Sequence, residues 1–238
     1  MKILLIGYGK MGKTIEQLAL AKGHEIVGKI AHDSVEKLTD FKADMVDVAI
    51  EFTHPEAAFE NISYCLENNI PVVSGSTGWQ QRMAEAKALC EKNQGSFFYA
   101  SNFSIGVNLF FHFNEYIASR MQQYKEYTVG IREIHHLQKV DHPSGTAITT
   151  AEGILQSYPD LKGWVNEETE TKNELPIISE RAADVIGTHI VRYASDIDEI
   201  ELSHVAHSRT GFAAGALMAA EWLPGKKGTF GMKDLMNL

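Results

Sequence analysis

The stretch KILLIGYGKMG, residues 2–12, decides how the rest of the chain is read. Lys2–Ile6 is a short apolar run of strand length, and Gly7, Gly9 and Gly12 follow it in the spacing G-x-G-x-x-G, opening a helix-like segment over 10–22. A Cβ at the first two glycines would block the tight turn or the approach of a pyrophosphate, and the helix start supplies N–H donors and the positive end of a dipole. Gly7, Tyr8, Gly9, Lys10, Met11 and Gly12 are therefore the expected pyrophosphate-facing segment of a dinucleotide site. The competing reading is a glycine turn that only packs a helix on a strand. Its place between a strand and a helix favours the nucleotide.

Outward from this motif the pattern repeats. Apolar runs at 25–30, 46–52, 71–75 and 96–100 alternate with helix-like segments at 55–68 and 79–93, which predicts βαβ units and an α/β, Rossmann-type doubly wound parallel sheet. Ligands of such sheets bind at the carboxyl ends of the strands. Two turns fall there, SGSTGW (74–79) and ASNFSIG (100–106), so Gly75, Ser76, Thr77, Ala100, Ser101, Asn102 and Phe103 are candidate walls for the nicotinamide end. Singly, each is as well explained by an ordinary turn or cap. An acidic residue about 20 positions past the glycines usually holds the ribose 2′-hydroxyl, whereas cations accept a 2′-phosphate. The chain offers Asp33 with Lys29 and His32 nearby, which leaves the choice of NADH or NADPH open.

After residue 103 the pattern changes. A helix at about 105–122 leads into long β-prone runs at 127–137, 184–194 and 199–207, while the charged segment 162–176 lacks an apolar period and reads as an exposed loop. TGFAAGALMAAEWL (210–223) reads as a small-residue helix that packs back on the first unit. The expected division is 1–103 with 209–238 as the dinucleotide-binding domain, and 104–208 as a central α+β domain with a mixed or antiparallel sheet that binds substrate and assembles the oligomer.

Composition narrows the partners. In 238 residues, 31 acidic against 22 basic side chains give a formal charge of −9, and no basic stripe runs along the sequence, so nucleic acid is not expected. The longest apolar stretch, FSIGVNLFF (103–111), is too short to span a membrane, and two isolated cysteines, Cys65 and Cys90, fit a reducing compartment. A cytoplasmic protein is expected.

The chemistry concentrates in EIHHLQKVDHPSGTAITTA, residues 133–151. If the strand stays extended, His135 and Lys139 share a face while His136 points away. Such a pair serves acid catalysis or anion binding, and the N–H groups of Ser144, Gly145 and Thr146 at a helix start form a cradle for a carboxylate or phosphate. The substrate expected is a small anion. His135, His136, Asp141 and His142 are a conceivable metal set, but adjacent strand histidines diverge and the spacing matches no zinc pattern. No metal is expected.

This segment resembles the signature Glu-x-His-His-x-x-Lys-x-Asp-x-Pro-Ser-Gly-Thr-Ala of the 4-hydroxy-tetrahydrodipicolinate reductase (dihydrodipicolinate reductase) family. GYGKMG, IEFTHPEA, SGSTG, SNFSIGVN and SHVAHSRTGFAAGA extend the likeness over most of the chain. The resemblance implies a two-domain, homotetrameric reductase of the diaminopimelate route to lysine, using NADPH or NADH on a small cyclic dicarboxylate and no metal. It implies His135 as proton donor and acceptor, Lys139 as proton donor, His136 on one substrate carboxylate, and the Gly145–Thr146 backbone on the other. The chain departs from the family's pattern at Ala31-His32-Asp33, at GTH (187–189) and at FAAGA (212–216), so cofactor preference and any role for Thr188 or Ala214 are not carried over; Arg209 is likewise left without a role. Two further readings remain: a dehydrogenase of a linear amino or oxo diacid, and a non-catalytic NAD(P)H-sensing module.

Overall fold

The computed structural model describes every residue except His32 and Asp33, two of the three positions weighed above for ribose recognition. The chain forms two compact units, Met1–Ile105 with Thr210–Leu238, and Gly106–Arg209. The divisions fall two residues and one residue beyond those expected from sequence. Ile105 still packs on the core of the first unit, which moves the first boundary onward.

In the first unit β1 (Lys2–Ile6), α1 (Lys10–Ala21), β2 (Glu25–Ile30), β3 (Val48–Glu51), α2 (Pro55–Glu67), β4 (Val72–Ser74), α3 (Met83–Lys92) and β5 (Ser96–Tyr99) follow one another. The strands pair in parallel in the order β5-β4-β3-β1-β2. Both faces are covered, so β1 and β3 are buried along nearly their whole length and read as continuous apolar runs. Ile15 and Ala19 of α1 close one face together with the small residues of α6 (Thr210–Trp222), and Ile62, Leu66 and Ala86 close the other. Alanine and glycine let α6 lie close: a Cβ on Gly215 would fall 1.8 Å from the carbonyl oxygen of Phe103. Glu221 fixes its far end through Lys22 (2.9 Å) and His24 (2.8 Å). Two elements were not legible in advance, β11 (Gly228–Phe230), which pairs with β5 at the sheet edge, and α7 (Met232–Met236). Neither is long enough to show a period.

The second unit contains α4 (Ile105–Met121, its first residue counted in the other unit), β6 (Thr128–His135), α5 (Gly145–Leu155), β7 (Gly163–Val165), β8 (Glu174–Arg181), β9 (Gly187–Ala194) and β10 (Glu199–Ala206). Its sheet runs β10-β9-β6-β8-β7 and is mixed: β6 is antiparallel to β9 but parallel to β8. Alternate residues of the strands, among them Ile131, Leu175, Ile177, Val191 and Tyr193, pack with Phe110, Ala147, Ala151 and Ile154 of the helices. The segment 162–176, expected as a loop, instead supplies β7 and the start of β8, because Gly163–Val165 find backbone partners at Glu174–Pro176. The strand expected over 184–194 begins only at Gly187, since Asp184 turns with a positive φ of 60°.

Candidate active site

Strand register delivers the polar cluster of the second unit. Glu133 of β6 stands opposite Ser179 of β8 and opposite His189 of β9, and two residues on, His135 stands opposite Arg181. Residues two apart share a face. The side of the sheet packed by helices therefore ends in ionisable groups just where its apolar residues stop.

Glu133 is fully buried, and His135 and His189 nearly so. One carboxylate oxygen, Oε1, accepts from the Ser144 backbone N–H (2.9 Å) and the Ser179 hydroxyl (2.7 Å). The other, Oε2, lies 3.4 Å from His135 Nδ1 and 3.6 Å from His189 Nε2. Burial acts to raise the Glu133 pKa, but the nearby His189 imidazole and the hydrogen bonds from Ser144 and Ser179 outweigh it and hold the carboxyl well below the usual range. Burial, reinforced by the neighbouring His189 and only partly opposed by Glu133, pulls His135 down to about 4. The three ligand-type atoms lie within 4.8 Å of one another, a grouping different from the set weighed from sequence. Of that earlier set, His136 turns to Arg209 and Asp141 to Lys139.

β6 ends at His135 because the chain turns there, the Lys139 N–H donating to the His136 carbonyl at 3.1 Å. Lys139 is thus on a turn, not on the strand face expected to hold it beside His135. Its ammonium meets both oxygens of Asp141 at 2.8 and 2.9 Å. Burial acts to raise the Asp141 pKa, yet the bond from Lys139 outweighs it and lowers it. Arg181 holds this turn from β8, donating to the carbonyls of Lys139 (3.2 Å) and Asp141 (2.5 Å). Arg209 Nη2 donates to His136 Nε2 at 3.2 Å, which places a cation beside that histidine.

Ser144 is the N-cap of α5, its hydroxyl accepting from the Ala147 N–H at 3.2 Å. The cradle expected from three N–H groups is narrower, because Glu133 takes the Ser144 N–H; Gly145 and Thr146 remain at the helix start. A Cβ at Gly145 would meet no atom within 4 Å, so this end is open. Thr188 points to the opposite face of β9 from His189, and Ala214 is exposed on α6.

In the first unit the three glycines divide their work. Gly7 has φ +97°, and a Cβ there would lie 2.0 Å from the Phe52 carbonyl oxygen; at Gly12 it would lie 2.3 Å from that of Gly7. At Gly9 it would meet nothing within 4 Å, which is the open approach a pyrophosphate needs. Tyr8 bonds its hydroxyl to Glu16, and Lys29 pairs with Glu16 (2.5 Å) while standing 4.9 Å from the Tyr8 ring centroid. Lys10 is exposed at the start of α1 and Met11 packs partly on the core.

Several proposed nicotinamide walls face elsewhere. Ser76 is buried with its hydroxyl on Glu51 (2.8 Å), and Phe103 and Ala100 belong to the core. Gly75 presses against Phe52, while Thr77 and Ser101 are exposed at the strand ends and Asn102 is half-buried. Glu51, fully buried at the end of β3, was not singled out from sequence. It accepts from Thr53, Ser74 and Ser76, and so ties together the ends of β3 and β4. An acid closing an apolar strand was the available signal. Glu133 stood in the quoted signature without a role; Arg181, Ser179 and His189 carried no local signal at all.

A glycine turn that can cradle a pyrophosphate, in a parallel sheet, together with an ionisable cluster beside an open helix start, defines an NAD(P)H-dependent oxidoreductase. The chain belongs to the dihydrodipicolinate reductase family: residues 1–103 match the model of that family's N-terminus and residues 106–236 that of its C-terminus. It is 51% identical over 239 residues to 4-hydroxy-tetrahydrodipicolinate reductase of Christiangramia forsetii, covering 100% of this chain and 98% of that one. Among solved structures, dipicolinate-bound dihydrodipicolinate reductase from a Paenisporosarcina species superposes with a TM-score of 0.83 at 25% identity, covering 98% of each chain. Aspartate dehydrogenase from Thermotoga maritima shares the fold alone, with a TM-score of 0.52 at 18% identity over 95% of this chain and 97% of that one.

Proposed function

We propose that the chain reduces 4-hydroxy-tetrahydrodipicolinate to tetrahydrodipicolinate with NADH or NADPH, releasing water, in the diaminopimelate route to lysine. The observation that carries this reading is the gathering of His135, His136, Lys139, Arg209 and the open start of α5 at one end of β6. A ring bearing two carboxylates needs two anion sites. The Gly145 and Thr146 N–H groups form one, and His136 with Arg209 beside it forms the other. Dipicolinate, a flat ring with two carboxylates, is the molecule bound in the Paenisporosarcina relative.

Residues 7–12 would hold the pyrophosphate of NADH or NADPH, and the cofactor would supply a hydride when bound. This chain's residues supply the rest. Lys139, paired with Asp141, donates the proton that balances the hydride, and His135 exchanges protons as the 4-hydroxyl leaves as water. In the free protein His135 is neutral at pH 7, and the arrival of a dianion favours its protonated form. Fixing the ring between two anion sites converts the encounter into an oriented one, worth on the order of 7–11 kcal/mol at best.

We also place the protein in the cytoplasm and read it as a homotetramer. Among the described residues no helix is long and apolar enough to cross a membrane, and Cys65 and Cys90 are buried free thiols. Ile134, Ile178 and Ile190 stand half-exposed on three adjacent strands, on the sheet face turned away from the helices and interleaved with the Arg132–Glu180 ion pair, and this mixed face suits a second copy of the chain.

The test is NADH and NADPH oxidation followed at the nicotinamide absorbance, with the cyclic substrate made in situ from pyruvate and aspartate semialdehyde by a coupling synthase. Turnover is expected. If both cofactors bind and neither is consumed, the sensing module replaces this reading; consumption with aspartate or a linear oxo diacid alone favours the other dehydrogenase.

A further inference from the structure

We infer that Glu133 is the positioning residue for His135: it fixes the ring tautomer with the proton on Nδ1, leaves Nε2 for the substrate, and supplies the buried counter-charge for a protonated His135. The inference rests on the functional reading above in taking His135 as a proton carrier. It adds the group through which that histidine is set.

A fully buried carboxylate is costly unless its oxygens are satisfied. Oε1 is satisfied twice, by Ser144 N–H and Ser179 Oγ, but among the described residues Oε2 accepts no hydrogen bond. His135 Nδ1, 3.4 Å away, is also buried and unpartnered. Two complementary groups left unmade at that separation form a hydrogen bond that closes when the ring gains charge, as catalytic hydrogen bonds often tighten only on ligand binding. The opposite ring nitrogen is kept clear by glycine: a Cβ on Gly187 would stand 3.1 Å from His135 Nε2. With Nδ1 turned to the carboxylate, Nε2 is the atom free to exchange a proton.

Other groups bear on the same ring. Arg181 on β8 stands 3.9 Å from Glu133 Oε1, His189 on β9 lies edge-on to His135 with ring centroids 5.0 Å apart, and Lys139 on the turn adds a further positive charge. His204 on β10 stands behind His189. His189, Lys139 and Arg181 oppose protonation of His135 in the free protein, while Glu133 favours it. A substrate dianion offsets Lys139, after which Glu133 prevails. Because Glu133 also holds the Ser144 N–H, one carboxylate ties the proton carrier to the helix start that takes a substrate carboxylate.

The test is Glu133→Gln in the full-length enzyme. Gln retains an oxygen for Ser144 and Ser179 but turns an NH2 toward His135 Nδ1, which favours the other tautomer. The expected result is a kcat lower by about 100-fold or more, on the scale of a histidine held in the wrong tautomer. The substrate KM and the NADH dissociation constant should stay near wild type, with the alkaline limb of the kcat profile moved to lower pH. Ring-nitrogen NMR should report Nδ1–H for His135 in the wild type and Nε2–H in the variant. An unchanged tautomer, or an unchanged kcat and pH profile, overturns the inference. Should Glu133→Gln not fold, Ser179→Ala removes one donor from Oε1 and leaves more of the carboxylate's charge for His135, so its kcat profile must shift the opposite way, to higher pH; a wild-type profile overturns it. EDTA treatment should leave the rate intact, and a loss restored by zinc would mean that the cluster holds a metal instead. If the wild type consumes no cyclic substrate, the functional reading fails while the NMR measurement still decides the tautomer.

Discussion

Arg181 donates from Nε to the carbonyl of Lys139 at 3.2 Å, so a residue at the end of β8 fixes the backbone of the turn that presents the proposed proton donor. A second bond, from Nη2 to the Asp141 carbonyl, makes the guanidinium a two-point clamp. Lysine has the charge but not the fork.

Arg181→Lys should therefore loosen the turn without emptying it of cations. The expected kcat/KM for the cyclic substrate falls about 10- to 100-fold, the cost of a misplacement near 1 Å. NADH affinity, set in the other unit, should not move. Steady-state kinetics with fluorescence titration of NADH checks both, and an unaltered kcat/KM would mean that the turn holds itself.

Removing the ammonium is a different test from moving it. Lys139→Ala should lower kcat by roughly 100- to 10,000-fold, the range for losing a general acid, while cofactor binding survives. Wild-type turnover in this variant would remove Lys139 from the mechanism.

Gly9 separates binding from folding. A Cβ there meets no protein atom within 4 Å, so Gly9→Val should leave the melting temperature nearly unchanged yet weaken NADH by about tenfold or more, at least about 1.4 kcal/mol. At Gly12 the same Cβ would strike the Gly7 carbonyl, and Gly12→Ala should melt earlier as well. If Gly9→Val bound NADH normally, the turn at residues 7–12 would not be the pyrophosphate site.

Cofactor choice can be shifted at Glu16. The bond from Lys29 is the largest cause lowering its pKa, which means that the carboxylate neutralises a cation on the second strand. Glu16→Gln should release Lys29 toward a 2′-phosphate and raise the NADPH-to-NADH ratio of kcat/KM several-fold. A ratio that stays constant would take Lys29 out of ribose recognition.

Acid should destabilise the fold in two steps. His135 has a folded pKa of about 4 against 6.5 unfolded, so the unfolded chain takes up its proton first. Its contribution is complete above pH 6.5 and is lost as pH falls toward 4, by up to about 3 kcal/mol. Glu133, also depressed, holds its contribution above 4.5 and loses it below that value. Urea unfolding at pH 7.5, 5.5 and 4.5 is the measurement, and His135→Asn should flatten the loss between 6.5 and 4. A wild type equally stable at pH 7.5 and 4.5 would contradict the His135 shift.

Much of the first unit was legible in local pattern. The apolar runs at 2–6 and 96–100 are strands because both faces of a parallel sheet are buried and each strand is bounded by turn residues. The glycine spacing carries its own steric reason, since Gly7 and Gly12 are forced by backbone atoms at 2.0 and 2.3 Å. β7 was missed for the opposite cause. Gly163–Val165 has no period of its own and is extended only because Glu174–Pro176 lies beside it.

The site divides along the same line. From residues 133–146 alone one reads a strand ending in histidines, a lysine, and a capped helix start, since each depends on near neighbours. What tertiary structure decided is which groups surround them. Ser179 reaches Glu133 from 46 residues away, and His189 and Arg181 arrive by strand register, which local sequence does not encode. The sequence by itself determined the chemical groups and the order of the elements; pairing of distant strands decided that a buried carboxylate would stand behind His135, because only the register of β6 with β8 and β9 brings those side chains to one face.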